Sequence, residues 1–181
     1  MTQRRALVTG GSGDIGGAIC RQLAADGLHV IVHANANIAR AESVVGEIHA
    51  VGGSAQAVAF DVADGDATRT AIDALLADGP IQVVVNNAGI HDDAPMAGMS
   101  AEHWKRVVDV SLHGYFHVTH PLLLPMARTR WGRIVSVSSW MPALLTTIWI
   151  GPSASSASSA VREAVASATS KATACALPPA A

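Results

Sequence analysis

The chain has 181 residues, half of them hydrophobic and 14% charged, with a formal net charge of −2. This length allows one domain with a sizeable core, and the charge excludes the strong basic field of a nucleic-acid or anionic-membrane binder. Its two cysteines, Cys20 and Cys175, form neither a metal-binding spacing nor a disulfide framework, which is typical of a reducing compartment. We find no signal peptide and no run of roughly 20 apolar residues, and we expect a cytoplasmic protein.

Short apolar runs alternate with longer segments of helical period along most of the chain. In chain order we predict a strand at 6–9, a helix at 15–25, a strand at 30–32, a helix at 39–50, a strand at 57–60, a helix at 67–77, a strand at 83–85, a long helix after Ser100 and a strand at 133–137. The Ser100 hydroxyl is expected to cap its helix by accepting a backbone N–H. Continuous apolar strands separated by helices predict a parallel sheet covered on both faces.

The pattern changes beyond about Pro142, so we predict one domain over residues 1–142. From Gly151 onward most residues are Ser and Ala, which bury little apolar surface. We therefore predict that 143–181 is a weakly helical or disordered tail. A sheet that ends at the fifth strand would expose an unpaired edge and an uncovered face, which favours aggregation or a partner.

A glycine-rich turn separates the first strand from the first helix. It reads Thr9-Gly10-Gly11-Ser12-Gly13-Asp14-Ile15-Gly16 and matches G-x-G-x-x-G at its third, fifth and eighth residues. Small residues let the backbone approach a pyrophosphate, while the helix N-terminus offers free N–H groups and partial positive charge. The turn therefore predicts dinucleotide binding. The Asp14 carboxylate would repel a phosphate unless it complements the helix dipole and points to solvent.

The stretch after the second strand bears on the choice of dinucleotide. An acid roughly 20 residues beyond the turn would hydrogen-bond the NAD ribose. Residues 33–37 are His-Ala-Asn-Ala-Asn, with no acid, and Asn35 is our candidate contact there. This favours NADP(H) over NAD(H), although Arg40, the nearest cation, is equally consistent with a surface role.

Four motifs in order resemble the short-chain dehydrogenase/reductase family. They are the glycine-rich turn, Asp61-Val62 after the third strand, Asn86-Asn87-Ala88-Gly89 after the fourth, and Gly132-Arg133-Ile134-Val135-Ser136-Val137-Ser138-Ser139 at the fifth. Within the family the chain is most similar to 3-oxoacyl-[acyl-carrier-protein] reductases. The resemblance covers about residues 4–140. It implies a Rossmann-type doubly wound α/β fold with five strands in the order 3-2-1-4-5, and later strands are not recognisable.

The resemblance also implies roles for individual residues. Asp61 would accept a hydrogen bond from the adenine amino group, with the Val62 backbone beside it, or it would simply cap the next turn. Asn87, Ala88 and Gly89 would close over the cofactor, or would form an ordinary turn. Ser139 would hydrogen-bond the substrate carbonyl and stabilise its developing charge.

The family's proton donor is not found where the resemblance places it. Its Tyr-x-x-x-Lys motif would fall at Pro152 and Ser156. The single tyrosine, Tyr115, lies on the long helix and is interpreted as a packing residue, while Lys171 has no tyrosine four residues before it. Ser111 stands where the family often has an Asn that anchors a water molecule, and Ser also binds water.

These observations leave three hypotheses. The first is an NADPH-dependent reductase of ketones such as 3-oxoacyl thioesters, impaired by an altered C-terminal third. The abrupt change after Pro142 would reflect a frame change or truncation, so another reading frame would contain Tyr-x-x-x-Lys. The others are a non-catalytic NADP(H)-binding module and an inactive fragment. We expect no metal, nucleic-acid or membrane partner; the family oligomerises, but we recognise no dimer-forming helices.

Overall fold

The computed structural model describes residues 3–90, 96–137 and 146–150. Its first half alternates strand and helix: β1 Arg5–Val8, α1 Asp14–Ala25, β2 His29–Ala34, α2 Ile38–Ala50, β3 Ser54–Ala59, α3 Gly65–Ala77 and β4 Val83–Asn86. A short 3₁₀ turn, Met96–Gly98, then precedes α4 Ala101–Val108, a π-helical turn Asp109–His113, α5 Gly114–Arg128, β5 Gly132–Ser136 and β6 Thr146–Ile150. The predicted alternation is confirmed.

The strands form one sheet in the order β3-β2-β1-β4-β5-β6. The first five strands are parallel, and Leu7 in β1 stands between Ile31 of β2 and Val84 of β4. The predicted five-strand order 3-2-1-4-5 is confirmed. All five strands point their carboxyl ends to the same edge, which is where open α/β sheets bind ligands.

The prediction that the sheet ends at the fifth strand is wrong. Residues of β6 pair antiparallel with β5, from Gly132 opposite Ile150 to Ser136 opposite Thr146. The sequence of β6 is Thr-Thr-Ile-Trp-Ile, and β-branched and aromatic residues favour strands. The Ser/Ala-rich stretch begins only after this segment, and residues 151–181 lie outside the described residues.

Two apolar clusters cover the two faces of the sheet. One packs Ile19 and Leu23 of α1, with Val44 and Ile48 of α2, against alternate strand residues such as Val30. The other packs residues of α3 and α5, including Ile72, Leu75, Leu122 and Met126, against the opposite face. The strands β1, β2, β4 and β5 are therefore buried on both sides, as their continuous apolar sequences predict, whereas β3 is only partly buried.

The helix after Ser100 is longer and less regular than the sequence predicts. The Ser100 hydroxyl accepts from the His103 N–H at 3.2 Å, which confirms the predicted cap. The five residues Asp109–His113 then adopt a π-helical turn between α4 and α5. In such a turn the backbone hydrogen bonds join residues five positions apart instead of four, and these turns are frequent at functional sites.

The outer face of this long helix carries exposed apolar side chains. Leu112, Phe116 and Leu124 are 63%, 58% and 71% exposed, and Trp104 is 59% exposed. Leu112, Phe116, His120 and Leu124 follow one another at four-residue spacing, which aligns them along one side of a helix. Within the described ranges, no helix is both long enough and apolar enough to cross a membrane.

Candidate dinucleotide-binding site

The chain bends sharply at the carboxyl end of β1. Gly10 has φ of +64°, and a Cβ added there would lie 3.1 Å from the Ala88 Cα. A Cβ on Gly16 would overlap the Gly10 carbonyl oxygen and lie 2.8 Å from the Asn87 Nδ2. The bend therefore requires glycine at both positions, because no side chain fits between the turn and the end of β4.

Hydrogen bonds fasten this bend to the end of β4. The Thr9 hydroxyl accepts from the backbone N–H groups of Asn87 and Ala88, both at 3.0 Å. In return, the Asn87 side-chain amide donates to the Thr9 carbonyl at 3.1 Å and to the Gly10 carbonyl at 3.2 Å. The first and third of the motifs singled out in the sequence thus meet at one edge of the sheet.

The bend leads directly into the N-terminus of α1. Gly13 occupies the N-cap position, and no side chain among the described residues caps this end. The amides of the first helical turn have no partner within a helix, and the helix dipole adds partial positive charge. Asp14 lies in this turn and is exposed, in the placement that the dipole interpretation predicts. Ile15, beside it, packs partly against the first apolar cluster.

His33, near the end of β2, holds the bend from below. It is 1% exposed, its Nδ1 accepts from the Gly10 N–H at 3.0 Å, and its Nε2–H donates to the Phe60 carbonyl at 2.8 Å. Burial is the main cause of a lowered pKa for this ring, opposed by its bond to Phe60 and by the nearby Asp61 charge. The ring is therefore neutral near pH 7.

An open groove of about 380 Å³ lies beside the bend, between α1 and α2. Its lining includes Ser12, Gly13, Asp14, Arg21, Arg40, Ser43 and Glu47. Arg21 is paired with Glu47 at 2.7 Å, whereas no carboxylate within the described part of the chain lies within ion-pair distance of Arg40. Asn35, just beyond the end of β2, is exposed and does not line this groove.

Asp61 and Val62 follow β3 at the same edge of the sheet. The Asp61 carboxylate is exposed and accepts from the Ala63 N–H at 2.9 Å, so the turn-capping geometry is present. Its other role, at the adenine, stays a prediction. Val62 is 5% exposed, and its carbonyl accepts from the His117 Nδ1–H at 2.9 Å.

The candidate catalytic residues are described only in part. Ser111 is exposed and lies in the π-helical turn, while Ser139 lies outside the described residues. Tyr115 is half-buried and packs against the second apolar cluster, as the packing interpretation predicts. Gly89 has open space where a Cβ would be. No cluster of metal-ligating side chains occurs in the part of the chain that the structure describes.

His33 contacts the bend but was not among the residues that the sequence singled out. A histidine directly after the apolar run Val30-Ile31-Val32 was the available signal, because a buried imidazole needs hydrogen-bond partners. Those partners, Gly10 and Phe60, lie 23 and 27 residues away in sequence, so only the folded sheet identifies them.

The family model described as short chain dehydrogenase matches residues 4–171. An acetoacetyl-CoA reductase of Cupriavidus necator is 42% identical over 140 residues, which are 77% of this chain and 57% of that protein. Nodulation protein G of Azospirillum brasilense is 37% identical, with the same coverage of each chain. A 3-oxoacyl-[acyl-carrier-protein] reductase of Aggregatibacter actinomycetemcomitans is 38% identical over 138 residues, 74% of this chain and 56% of that one. The chain therefore spans a little over half the length of these relatives.

Proposed function

Because the chain belongs to the short-chain dehydrogenase/reductase family, we propose that it binds NADP(H) and serves the reduction of a ketone such as a 3-oxoacyl thioester, with impaired proton transfer. The observation that supports NADP(H) binding is the bend at Gly10. It is fastened to β4 and opens onto an uncapped helix N-terminus. The names of two relatives, acetoacetyl-CoA reductase and 3-oxoacyl-[acyl-carrier-protein] reductase, support the substrate class.

The chain's own residues fit a dinucleotide. The glycine bend and the first-turn amides of α1 would hold the pyrophosphate, because no Cβ intervenes and the amides lack helical partners. Asp61 would accept from the adenine amino group, and residues 87–89 would border the nicotinamide side. When bound, NADPH supplies the hydride.

The groove beside the bend supports NADP(H) over NAD(H). The residues after β2 include no acid to bind a ribose hydroxyl, and Arg40 and Ser12 line the space beside them. We expect Arg40→Ala to weaken NADPH binding about tenfold, the size of one lost charge-assisted hydrogen bond, and to leave NADH binding unchanged. Calorimetric titration measures both affinities. Arg69→Ala, which removes an exposed arginine from α3, is the matched control. Equal losses for NADPH and NADH in Arg40→Ala would exclude a 2′-phosphate contact.

The proposed ketone reduction is inferred from the sequence. Ser139 would polarise the substrate carbonyl, and Ser111 would hold a water molecule. Pro152 and Ser156 occupy the positions where the family's Tyr and Lys are expected. Proline has no side-chain proton to donate, and the serine hydroxyl carries no positive charge to replace the lysine. General acid catalysis contributes roughly 10²- to 10⁴-fold, so we expect ketone-dependent NADPH oxidation to be slower by about that factor.

The test compares binding with turnover in the same purified chain. NADPH binding is followed by calorimetry, and oxidation is followed by absorbance with acetoacetyl-CoA as the ketone. Binding with slow, ketone-dependent oxidation is the expected result. Binding without any such oxidation favours the non-catalytic module, which the intact bend and the missing donor also support. Absence of binding contradicts both. The cytoplasmic location and the 1–142 domain boundary stay predictions.

A further inference from the structure

One peptide unit at the bend is held at both of its ends. The unit between Thr9 and Gly10 offers its carbonyl to the Asn87 side chain at 3.1 Å and its N–H to the His33 Nδ1 at 3.0 Å. Asn87 comes from the end of β4 and His33 from β2, so side chains on either flank of β1 fix the plane of this peptide. The next carbonyl, of Gly10, accepts from the Gly13 N–H at 3.1 Å.

His33 is itself fixed in one tautomer. Its Nε2 faces the Phe60 carbonyl, which can only accept, so the proton of the neutral ring lies on Nε2. The Nδ1 lone pair is then free to accept from Gly10. The Phe60 ring packs against the imidazole with 4.2 Å between centroids, which restricts rotation of the imidazole. The ring is a preset acceptor aimed at the glycine turn.

We propose that His33 is a positioning residue of the dinucleotide site, whose neutral imidazole holds the Gly10 amide and keeps the phosphate-binding turn in its binding conformation. This inference rests on the proposed function. His33 acts through Gly10, whose half-buried N–H has no other acceptor among the described residues. Without the His33 acceptor, the peptide between Thr9 and Gly10 would be held by Asn87 alone. One hydrogen bond does not fix the plane of a peptide, so the turn could rotate away from its binding conformation.

Protonation gives the proposal a specific signature. In the protonated ring Nδ1 also carries a proton, which would point at the Gly10 N–H. Two donors cannot form a hydrogen bond, so the turn would have to move away from the ring. Around the ring, β3 and the loop after it contribute Phe60 and the exposed Asp61, whose charge favours the protonated form, while the turn contributes backbone amides. Burial lowers the pKa of the His33 ring more than the Asp61 charge raises it, so the ring is neutral near pH 7. The affinity for NADP⁺ should therefore be highest near neutral pH and fall as the solution becomes acidic.

The first experiment compares three variants of the full chain by NADP⁺ titration calorimetry. His33→Asn keeps an acceptor oxygen close to the Nδ1 position, so we expect affinity within about threefold of the natural chain. His33→Phe fills the space without an acceptor, and we expect binding about tenfold weaker, as for an N–H that loses its acceptor. His29→Asn replaces the other β2 histidine, which bonds Ser54 and Gln56, and should bind normally. Normal affinity of His33→Phe would overturn the proposal.

The second experiment uses pH. The ligand's own phosphate titrates near pH 6, so the readout is the ratio of the natural chain's affinity to that of His33→Asn, which has no titrating ring. Burial lowers the pKa of the His33 ring from its ordinary value of about 6.5. We therefore expect this ratio to stay constant near neutral pH and to fall only below about pH 6.5, because only the natural chain loses its acceptor on protonation. A ratio that stays constant down to the pH at which the chain unfolds contradicts the positioning role.

A third readout needs no ligand and separates the two proposals. Nitrogen-15 shifts of the His33 ring report the tautomer, and hydrogen exchange reports protection of the Gly10 amide. We expect the proton on Nε2 and faster Gly10 exchange in His33→Phe than in His33→Asn. If no variant binds NADP⁺ but these two results hold, the proposed function fails and the positioning of the turn stands. A proton on Nδ1, or equal Gly10 exchange in both variants, overturns the positioning role.

Discussion

Gly16 and Gly46 both lie in helices, yet they face opposite surroundings. A Cβ on Gly16 would collide with the Gly10 carbonyl, whereas one on Gly46, in the exposed part of α2, meets nothing within 4 Å. We expect Gly16→Ala to destabilise the fold by about 1–3 kcal/mol, as overpacking does, and to abolish dinucleotide binding. Gly46→Ala should instead stabilise it by about 0.5–1 kcal/mol. Urea unfolding measures both. Equal effects of the two substitutions would contradict the clash at Gly16.

Cys20 is a packing residue rather than a reactive thiol. Its side chain is fully buried in α1 beneath the glycine turn, and burial raises its pKa to about 12. Only the thiolate is nucleophilic, so we expect iodoacetamide at about pH 8 to leave Cys20 unmodified until the protein unfolds. A Cys175→Ser background removes the second thiol, and mass spectrometry follows the reaction. Alkylation at the same rate with and without urea would show that Cys20 is accessible.

At the scale of the elements, the ends of β1 and β4 are joined through the Thr9 hydroxyl. Its oxygen accepts two backbone N–H groups and lies 3.3 Å from the Val85 carbonyl, to which it donates. Thr9→Val keeps the shape and leaves two donors without an acceptor, so we expect a loss of about 2–3 kcal/mol in the free energy of unfolding. Thr9→Ser keeps the hydroxyl and should cost less than about 1 kcal/mol. Chemical denaturation distinguishes them, and similar losses would mean that packing rather than hydrogen bonding is what matters.

The strands β1, β2, β4 and β5 were predictable because each contains a short apolar run, and apolar runs between helices are typical of strands buried on both faces. The edge strand β6 was missed although Thr-Thr-Ile-Trp-Ile favours a strand, because its neighbourhood is dominated by the change to Ser and Ala. The π-helical turn at Asp109–His113 was missed for another reason. It does not interrupt the apolar periodicity, and backbone hydrogen bonding alone defines it.

The site divides in the same way. The glycine turn is local, since its eight residues, 9–16, are consecutive in the chain, and the sequence predicts it well. The contacts that hold it are not local. His33 and Asn87 contact Gly10 from 23 and 77 positions away in the chain. No pattern in a single sequence indicates contacts between residues so far apart. The groove that includes Arg40 likewise needs two helices packed side by side.

At the scale of the whole molecule, the outer side of the long helix is unusual for an isolated chain. Leu112, Phe116 and Leu124 are largely exposed along one row. We expect concentration-dependent self-association through this side, because joining such surfaces removes apolar area from water. The double substitution Leu112→Glu with Leu124→Glu should reduce the association measured by sedimentation velocity.

Val51→Glu is the matched control for this prediction. Val51 is 83% exposed at the end of α2, away from the long helix. Its replacement adds the same kind of charge at a different exposed apolar position and should leave association unchanged. Association that persists in the double variant, or that Val51→Glu also reduces, would show that net charge or another surface is responsible.

The glycine bend and the neighbouring groove depend on different forces. Thr9, His33 and Asn87 hold the bend through uncharged groups, whereas the groove presents the guanidinium groups of Arg21 and Arg40. Dissolved ions weaken attraction between exposed charges over about 8 Å at physiological ionic strength, but they do not weaken neutral buried hydrogen bonds in the same way. If the groove holds the ribose phosphate as proposed, added electrolyte would therefore reduce the preference for a phosphorylated over an unphosphorylated ribose, while the glycine bend kept its shape.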